Sequence, residues 1–157
     1  MMSQAAAAPD HGAFHRIERV RAALEATPLS IVQLLARIGV AAVFFKSGMT
    51  KIASWEFTLM LFREEYRVPL LPPEIAAPLA TATELSMPVL LAIGLFSRLA
   101  TLPLLGMVAV IQLFVYPQSW AEHLTWAALL LLILTRGPGA ISLDRLIAPL
   151  LFARKER

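Results

Sequence analysis

Cysteine is absent from the 157 residues of this chain, and charged residues make up only 16% of them. The first absence excludes disulfides, thiol nucleophiles, paired redox thiols and thiolate metal sites within this polypeptide. The charged fraction is low, since ordinary globular domains contain roughly 25% charged residues. Apolar residues reach 58%, which is more apolar surface than a soluble domain of this size could bury. The composition therefore indicates an integral membrane protein.

Histidines and basic clusters are also scarce. Two of the three histidines, His11 and His15, lie near the amino terminus, and only His123 falls within the apolar part of the chain. No histidine pair is available to hold a haem there, and we expect neither a metal site nor catalytic residues. No run of basic residues with interleaved aromatics indicates nucleic-acid binding. The net charge of +3 favours contact with anionic membrane lipid.

Four segments have about the apolar length that a membrane-spanning helix needs. We expect an all-α fold, a four-transmembrane-helix bundle in residues 31–136, with spans at about 31–52, 74–96, 99–116 and 120–135. Residues 1–30 are predicted to be a tail with a short amphipathic helix, and residues 137–157 a tail with a short surface helix. Pro72 and Pro73 favour a helix start, whereas Gly137 and Gly139 should end the last span.

The distribution of lysine and arginine predicts the orientation in the membrane, because these residues favour the cytoplasmic side. The first predicted loop carries three of them (Lys51, Arg63 and Arg67). The two tails and the loop between spans two and three carry nine: Arg16, Arg19, Arg21, Arg98, Arg136, Arg145, Arg154, Lys155 and Arg157. We therefore expect an inner-membrane protein with both termini in the cytoplasm.

Polar residues inside the predicted spans are the candidate site residues, since a charge in the bilayer is costly unless it is paired. At about 1.5 Å of rise per residue, Lys46, Glu84 and Gln112 fall at one depth in the outer half of the membrane. His123 begins the fourth span within reach of that layer. We expect Lys46 to pair with Glu84, and all four side chains to form a ligand site. The alternative is that the charged pair only fixes helix packing.

Two further residues are assigned structural roles. Pro88 lies four residues after Glu84, so it cannot donate to the Glu84 carbonyl, and we expect a kink with a free carbonyl there. Arg37 lies closer to the cytoplasm, where its long side chain could extend to the lipid headgroups. The loop that follows the first span, residues 55–74, is rich in apolar side chains. It is either a plain interfacial loop or a lid over a lipophilic ligand.

Several segments together resemble the DoxX family of small four-helix membrane proteins. They are RIGVAAVFFKSGMTKI, the Tyr66–Pro69 segment, the helix of Glu84 running into GLFSRLA, and GPGAISLD. The resemblance covers about residues 31–147. The family takes its name from a membrane subunit of a thiosulfate:quinone oxidoreductase, and other members are associated with redox or sulfur-stress complexes. Some relatives accompany peptide-derived metal-handling systems.

The resemblance implies a membrane subunit of a quinone-linked oxidoreductase, with a protein partner that carries the redox cofactor. A quinone would bind non-covalently, with Lys46 or His123 donating to one of its oxygens and Glu84 exchanging protons. The alternative function is a non-catalytic anchor or assembly factor for a partner protein, in which the charged pair only holds the helices together. Transport of a small solute is less favoured, because four spans form a narrow bundle, although a homodimer could widen it.

Overall fold

The computed structural model describes residues 11–69 and 71–152, and these residues form helices joined by short connections, with no strand among them. Seven α-helices follow one another: α1 (His11–Glu25), α2 (Leu29–Ala53), α3 (Trp55–Leu61), α4 (Pro73–Ile93), α5 (Ser97–Val110), α6 (Trp120–Arg136) and α7 (Leu143–Phe152). Helices α3 and α5 each continue into a π-helical turn, Phe62–Tyr66 and Ile111–Val115 respectively, and a short 3₁₀ turn, Pro117–Ser119, precedes α6. The first ten residues of the predicted amino tail and the last basic residues of the predicted carboxyl tail lie outside the described residues.

Three helices in the described part of the chain are long and apolar enough to cross a membrane: Leu29–Ala53, Pro73–Ile93 and Ser97–Val115. The fourth predicted span corresponds to α6, which has 17 residues. The second span ends earlier than the sequence suggested, at Ile93 instead of residue 96. The reason is Gly94, whose φ of +74° places it in the left-handed conformation that ends the helix.

The four long helices pack around a common core. Helix α2 contacts α4 and α6, and α5 contacts the same two helices from the other side. Large buried side chains come from all four: Val40 and Phe44 on α2, Leu91 on α4, Leu104 on α5 and Leu130 on α6. On α2, buried residues recur every three or four positions along one face, which is the spacing that places them on a single helical stripe.

The two ends of this helical assembly are held by different means. At the end where α2 begins, the loop after α6 packs against α2: the Gln33 amide donates to the carbonyls of Arg136 and Gly137, and Ser30 Oγ accepts from the amide of Ala140. At the other end, α3 and its π-helical turn pack against the start of α4 through a second small core of Phe62, Ala76 and Ala77. We call these the α2-start end and the α3 end.

At the α2-start end, Asp144 connects α7 to the turn between α4 and α5. Its carboxylate accepts from the amides of Phe96 (2.7 Å) and Ser97 (2.9 Å), and its own amide donates to the Gly94 carbonyl. Phe96 has a φ of +48°, a conformation that is costly for a bulky residue. Asp144 thus caps the start of α5 from 47 residues further along the chain and holds a strained backbone in place.

Candidate functional site

A buried ion pair joins α2 to α4 near the α3 end. Lys51 Nζ lies 2.7 Å from Glu84 Oε2 and donates a hydrogen bond of 2.9 Å to Oε1. The Glu84 side chain is only 4% exposed and that of Lys51 13%. Ser47 lies between them, accepting from Lys51 and donating to Glu84 Oε1. Oε2 is in ionic contact with Lys51 but accepts no well-aligned hydrogen bond, so it keeps capacity for a further donor.

The predicted pairing of Lys46 with Glu84 is wrong. Lys46 is exposed on α2, and it lies about 200° around the helix from Phe44, which faces the core. Lys51 follows the buried stripe of α2, in which Phe44 and Gly48 precede it at spacings of four and three. Because side chains on a helix point towards its amino end, Lys51 reaches back to the depth of Ser47 and Glu84. That stripe is the signal in the sequence that could have identified Lys51.

A cavity of about 460 Å³ opens beside this ion pair. Its buried polar wall is formed by Ser47, Lys51 and Glu84. Two half-buried tyrosines, Tyr66 and Tyr116, line its more exposed side, which we call its mouth. Its other walls are mainly apolar and come from all four long helices and from the α3 end: Val43, Phe44, Phe62, Ala80, Met107, Val110 and Trp126 are among them. A mostly apolar cavity with a few converging polar groups is the usual form of a small-molecule site.

The two tyrosines are held together at the cavity mouth. Their rings meet edge to face with centroids 5.9 Å apart, and Tyr66 also packs edge to face on Phe62. The Tyr116 hydroxyl donates a short hydrogen bond to Glu65. Burial raises the pKa of Tyr66, and the nearby Glu65 and Glu84 carboxylates raise it further, although its interaction with Tyr116 opposes them. Burial, followed by the Glu65 contact, raises the pKa of Tyr116 as well.

Part of the loop that follows the first span lines this cavity. Residues 55–66 are largely helical, and Phe62 and Tyr66 turn inwards to line the cavity. The segment therefore contributes side chains to the wall of the cavity.

Gln112 and His123 form a separate pair. Gln112 Oε1 lies 2.7 Å from His123 Nδ1, and its amide donates to the Pro117 carbonyl. His123 is buried and packs against Trp126, with ring centroids 5.3 Å apart. Neither Gln112 nor His123 is among the residues that line the cavity. The structure thus divides the four predicted site residues: Glu84 lies at the cavity, Gln112 and His123 behind Trp126, and Lys46 at the surface.

Arg37 does not extend to the lipid headgroups, so that prediction is wrong. It is 1% exposed. Its guanidinium donates to four carbonyls, those of Leu91, Ala92, Pro138 and Ile141, at 2.7–3.0 Å. The carbonyls at the end of a helix lack partners within it, and the planar guanidinium can serve several at once. Arg37 therefore fastens the end of α4 to the loop after α6.

The other residues with a predicted structural role are Pro88, Gly137 and Gly139. Pro88 is fully buried within α4, which continues as one helix from Pro73 to Ile93, and it lines an apolar groove between α2 and α4. Helix α6 ends at Arg136, and Gly137 and Gly139 have φ values of +84° and +89°, where glycine is favoured. Among the described residues, no group of three or more metal-ligating side chains comes together.

The fold indicates the class of protein to which this chain belongs. Three long apolar helices are characteristic of an integral membrane protein, and an ionisable pair buried between two of them marks a candidate site. Residues 32–117 match the sequence model of the DoxX family, which is more than half of the chain, and this protein belongs to that family. The matched region extends from α2 to the connection before α6 and includes the whole ion pair. Comparison with curated proteins and with solved structures yields no match.

Proposed function

We propose that this protein is the membrane subunit of a quinone-linked oxidoreductase complex and that the cavity beside Glu84 receives the quinone head group. The observation that carries the proposal is the cavity itself, whose volume of about 460 Å³ is within the range for small-molecule sites. Its apolar walls suit a ring and isoprenoid tail, and its polar wall suits the ring oxygens. Family membership supports a connection to redox systems.

The residues of the cavity have complementary properties for such a ligand. Reduction of a quinone to its quinol takes up two electrons, which the partner protein would deliver, and two protons, so a site needs donors to the ring oxygens and a group that exchanges protons. Lys51, instead of Lys46, provides the cationic donor, and Glu84 provides a carboxylate whose Oε2 accepts no aligned hydrogen bond. Tyr66 and Tyr116 add hydroxyl groups at the mouth. His123 acts at most indirectly, through Trp126.

The proposal includes a topology of four spans in the inner membrane with cytoplasmic termini. Helix α6 has 17 residues, which is at the lower limit for a span. It lies beside α2 and α5 along its own length. Gln33, near the start of α2, binds its last residue, and Gln112, just after α5, binds His123 in its first turn. Helices α1 and α7 would lie at the cytoplasmic interface. A partner protein would carry the electron carrier, since this chain contains no cysteine, and a homodimer is compatible with this arrangement.

The test is a titration of the purified protein in mild detergent with decylubiquinone, following quenching of tryptophan fluorescence. Trp126 lines the cavity, so Trp126→Phe should remove most of the quenching. Ala80→Phe fills the cavity and should weaken binding at least about tenfold, or about 1.4 kcal/mol. Ala82→Phe is the matched control, because Ala82 is exposed on the same helix and does not line the cavity. Equal quenching of wild type and Ala80→Phe would contradict a quinone site.

A second function is favoured by a different observation. At Gly48, α2 approaches α4 so closely that an added Cβ would lie 3.1 Å from the Glu84 Cβ. The ion pair thus lies where the two helices approach each other closely, as a group that only holds the helices together would. In that case the protein is a non-catalytic anchor or assembly factor for a partner. Unchanged activity of the partner complex with Ala80→Phe, together with loss of the complex when Lys51 is replaced, would support this function.

A further inference from the structure

A second cavity, of about 740 Å³, lies at the α2-start end, at the opposite end of the helices from the Lys51–Glu84 pair. It is bounded by the start of α2, the turn between α4 and α5, the loop after α6 and the first turns of α7. It shares no lining residue with the cavity beside Glu84. Any ligand that it takes is therefore independent of the proposed quinone.

Three arginines line this second cavity: Arg98, Arg136 and Arg145. All three are exposed, and none of their guanidinium groups has a hydrogen bond or ion pair within the described residues. The Arg98 guanidinium lies over the loop that follows Arg136, where a Cβ on Gly137 would be 3.4 Å from Nη2. Three cations converge on one open cavity.

Among the described residues, a single carboxylate opposes these three cations. Asp144 is the one carboxylate that lines the cavity, and both its oxygens already accept from the amides of Phe96 and Ser97. The cavity therefore has an excess of positive charge, which favours an anionic ligand with several acceptor oxygens, such as a phosphate group.

The rim of the same cavity is apolar. Leu29, Phe96 and Leu99 line it and are 52%, 56% and 64% exposed. A free phosphate ion would make no use of these side chains, whereas the acyl chains of a lipid would cover them. Basic pockets between membrane helices on the cytoplasmic side are places where anionic lipid headgroups bind.

We propose that this cavity binds one glycerophospholipid with a net negative headgroup. The phosphate lies among Arg98, Arg136 and Arg145, and the acyl chains run along Leu29 and Leu99 into the membrane. A bound lipid would join α7 to the α4–α5 turn from outside, as Asp144 does from within.

The experiment uses the full chain, purified in a neutral detergent and stripped of lipid. Dioleoylphosphatidylglycerol is added, and bound lipid is counted by native mass spectrometry while the unfolding temperature is followed. Dioleoylphosphatidylcholine, which has the same chains and no net charge, is the second arm, and inorganic phosphate is the third. We expect phosphatidylglycerol to bind and to raise the unfolding temperature, with little effect of the other two additives.

The variants are Arg98→Gln, Arg136→Gln and Arg145→Gln, each of which should weaken phosphatidylglycerol binding about fivefold. Arg63→Gln removes the same charge at the α3 end and should leave binding unchanged, and circular dichroism checks that each variant is folded. An equal loss with Arg63→Gln would overturn the proposal in favour of general electrostatic attraction. Equal binding of phosphatidylcholine would also overturn the proposal. Equal stabilisation by inorganic phosphate would mean that the cavity holds an adventitious ion only, which would overturn it as well.

Discussion

Lys46 and Lys51 lie on the same helix, five residues apart, yet only Lys51 is paired with a carboxylate. The Glu84 side chain is 4% exposed and has that lysine as its only cationic partner among the described residues. Removal of one member of a buried ion pair leaves the other charge without compensation, which costs about 3–5 kcal/mol. At the scale of single residues, replacing each lysine in turn therefore measures how much the buried ion pair contributes to stability.

We expect Lys51→Met to lower the free energy of unfolding by about 3–5 kcal/mol, because it leaves the buried Glu84 carboxylate unpaired. The double variant Lys51→Met/Glu84→Gln should recover part of the loss, since neither charge then remains. Denaturant titrations in detergent measure both effects. Lys46→Met is the matched control and should change stability by less than about 1 kcal/mol. Equal losses for the two lysines would show that the Lys51–Glu84 pair does not form.

Tyr66 and Tyr116 are the only two tyrosines in the sequence, so the ultraviolet absorbance of tyrosinate reports on these two alone. Burial raises the pKa of both above the ordinary value of 10.0. In the folded protein, the absorbance change should therefore appear at higher pH than in the unfolded chain. A folded-state titration centred on the ordinary value would contradict the buried arrangement at the cavity mouth.

The same shifts predict how stability depends on pH. A raised pKa means that the folded state holds these protons when the unfolded state has begun to release them. The contribution to stability is thus fully present below pH 10 and is lost as the pH rises above it. Tyr116→Phe should make this alkaline loss smaller, since one of the two titrating groups is gone.

At the scale of helices, a close approach of α2 to α4 depends on Gly48. A Cβ at this position would lie 2.9 Å from Leu85 Cδ2 and 3.1 Å from Glu84 Cβ. We expect Gly48→Ala to push the helices apart and to cost about 1–3 kcal/mol, as overpacking does. Gly39→Ala is the control on the same helix, because nothing lies within 4 Å of its added Cβ.

Gly39→Ala should be neutral or slightly stabilising, since alanine favours the helix more than glycine does. Thermal unfolding of the two variants in detergent compares them. Equal unfolding temperatures for Gly48→Ala and wild type would mean that α2 and α4 have room to adjust at the ion pair.

At the scale of the whole molecule, the open question is whether α6 crosses the membrane. Because the natural chain has no cysteine, single cysteines can be placed before α2, before α6 and after α6, at the exposed positions Ala26, Gln118 and Ala140. With four spans and cytoplasmic termini, a membrane-impermeant maleimide should label Gln118→Cys in intact cells. Ala26→Cys and Ala140→Cys should react only after permeabilisation.

Three spans give a different result with the same variants. If α6 does not cross, Gln118→Cys and Ala140→Cys should react under the same conditions as each other, on the side opposite to Ala26→Cys. Labelling of all three positions from outside would contradict both topologies.

The sequence by itself determined the helical membrane class, the family and the approximate extent of the long helices. Helices in a membrane must satisfy their backbone groups internally, so apolar length alone specifies most of each span. The sequence also indicated Glu84, because a carboxylate within an apolar run is exceptional. The family assignment is confirmed, and it covers residues 32–117.

Tertiary structure decided which polar groups meet. Depth along the membrane placed Lys46, Glu84 and Gln112 at one level, but it contains no information about the rotation of each helix around its axis. That rotation, set by the packing of Phe44, Leu91 and Leu104 in the core, turns Lys46 outwards and brings Lys51 to Glu84. Arg37 is buried for a similar reason: its partners are backbone carbonyls 54 to 104 residues away, and only the folded chain brings them to its guanidinium.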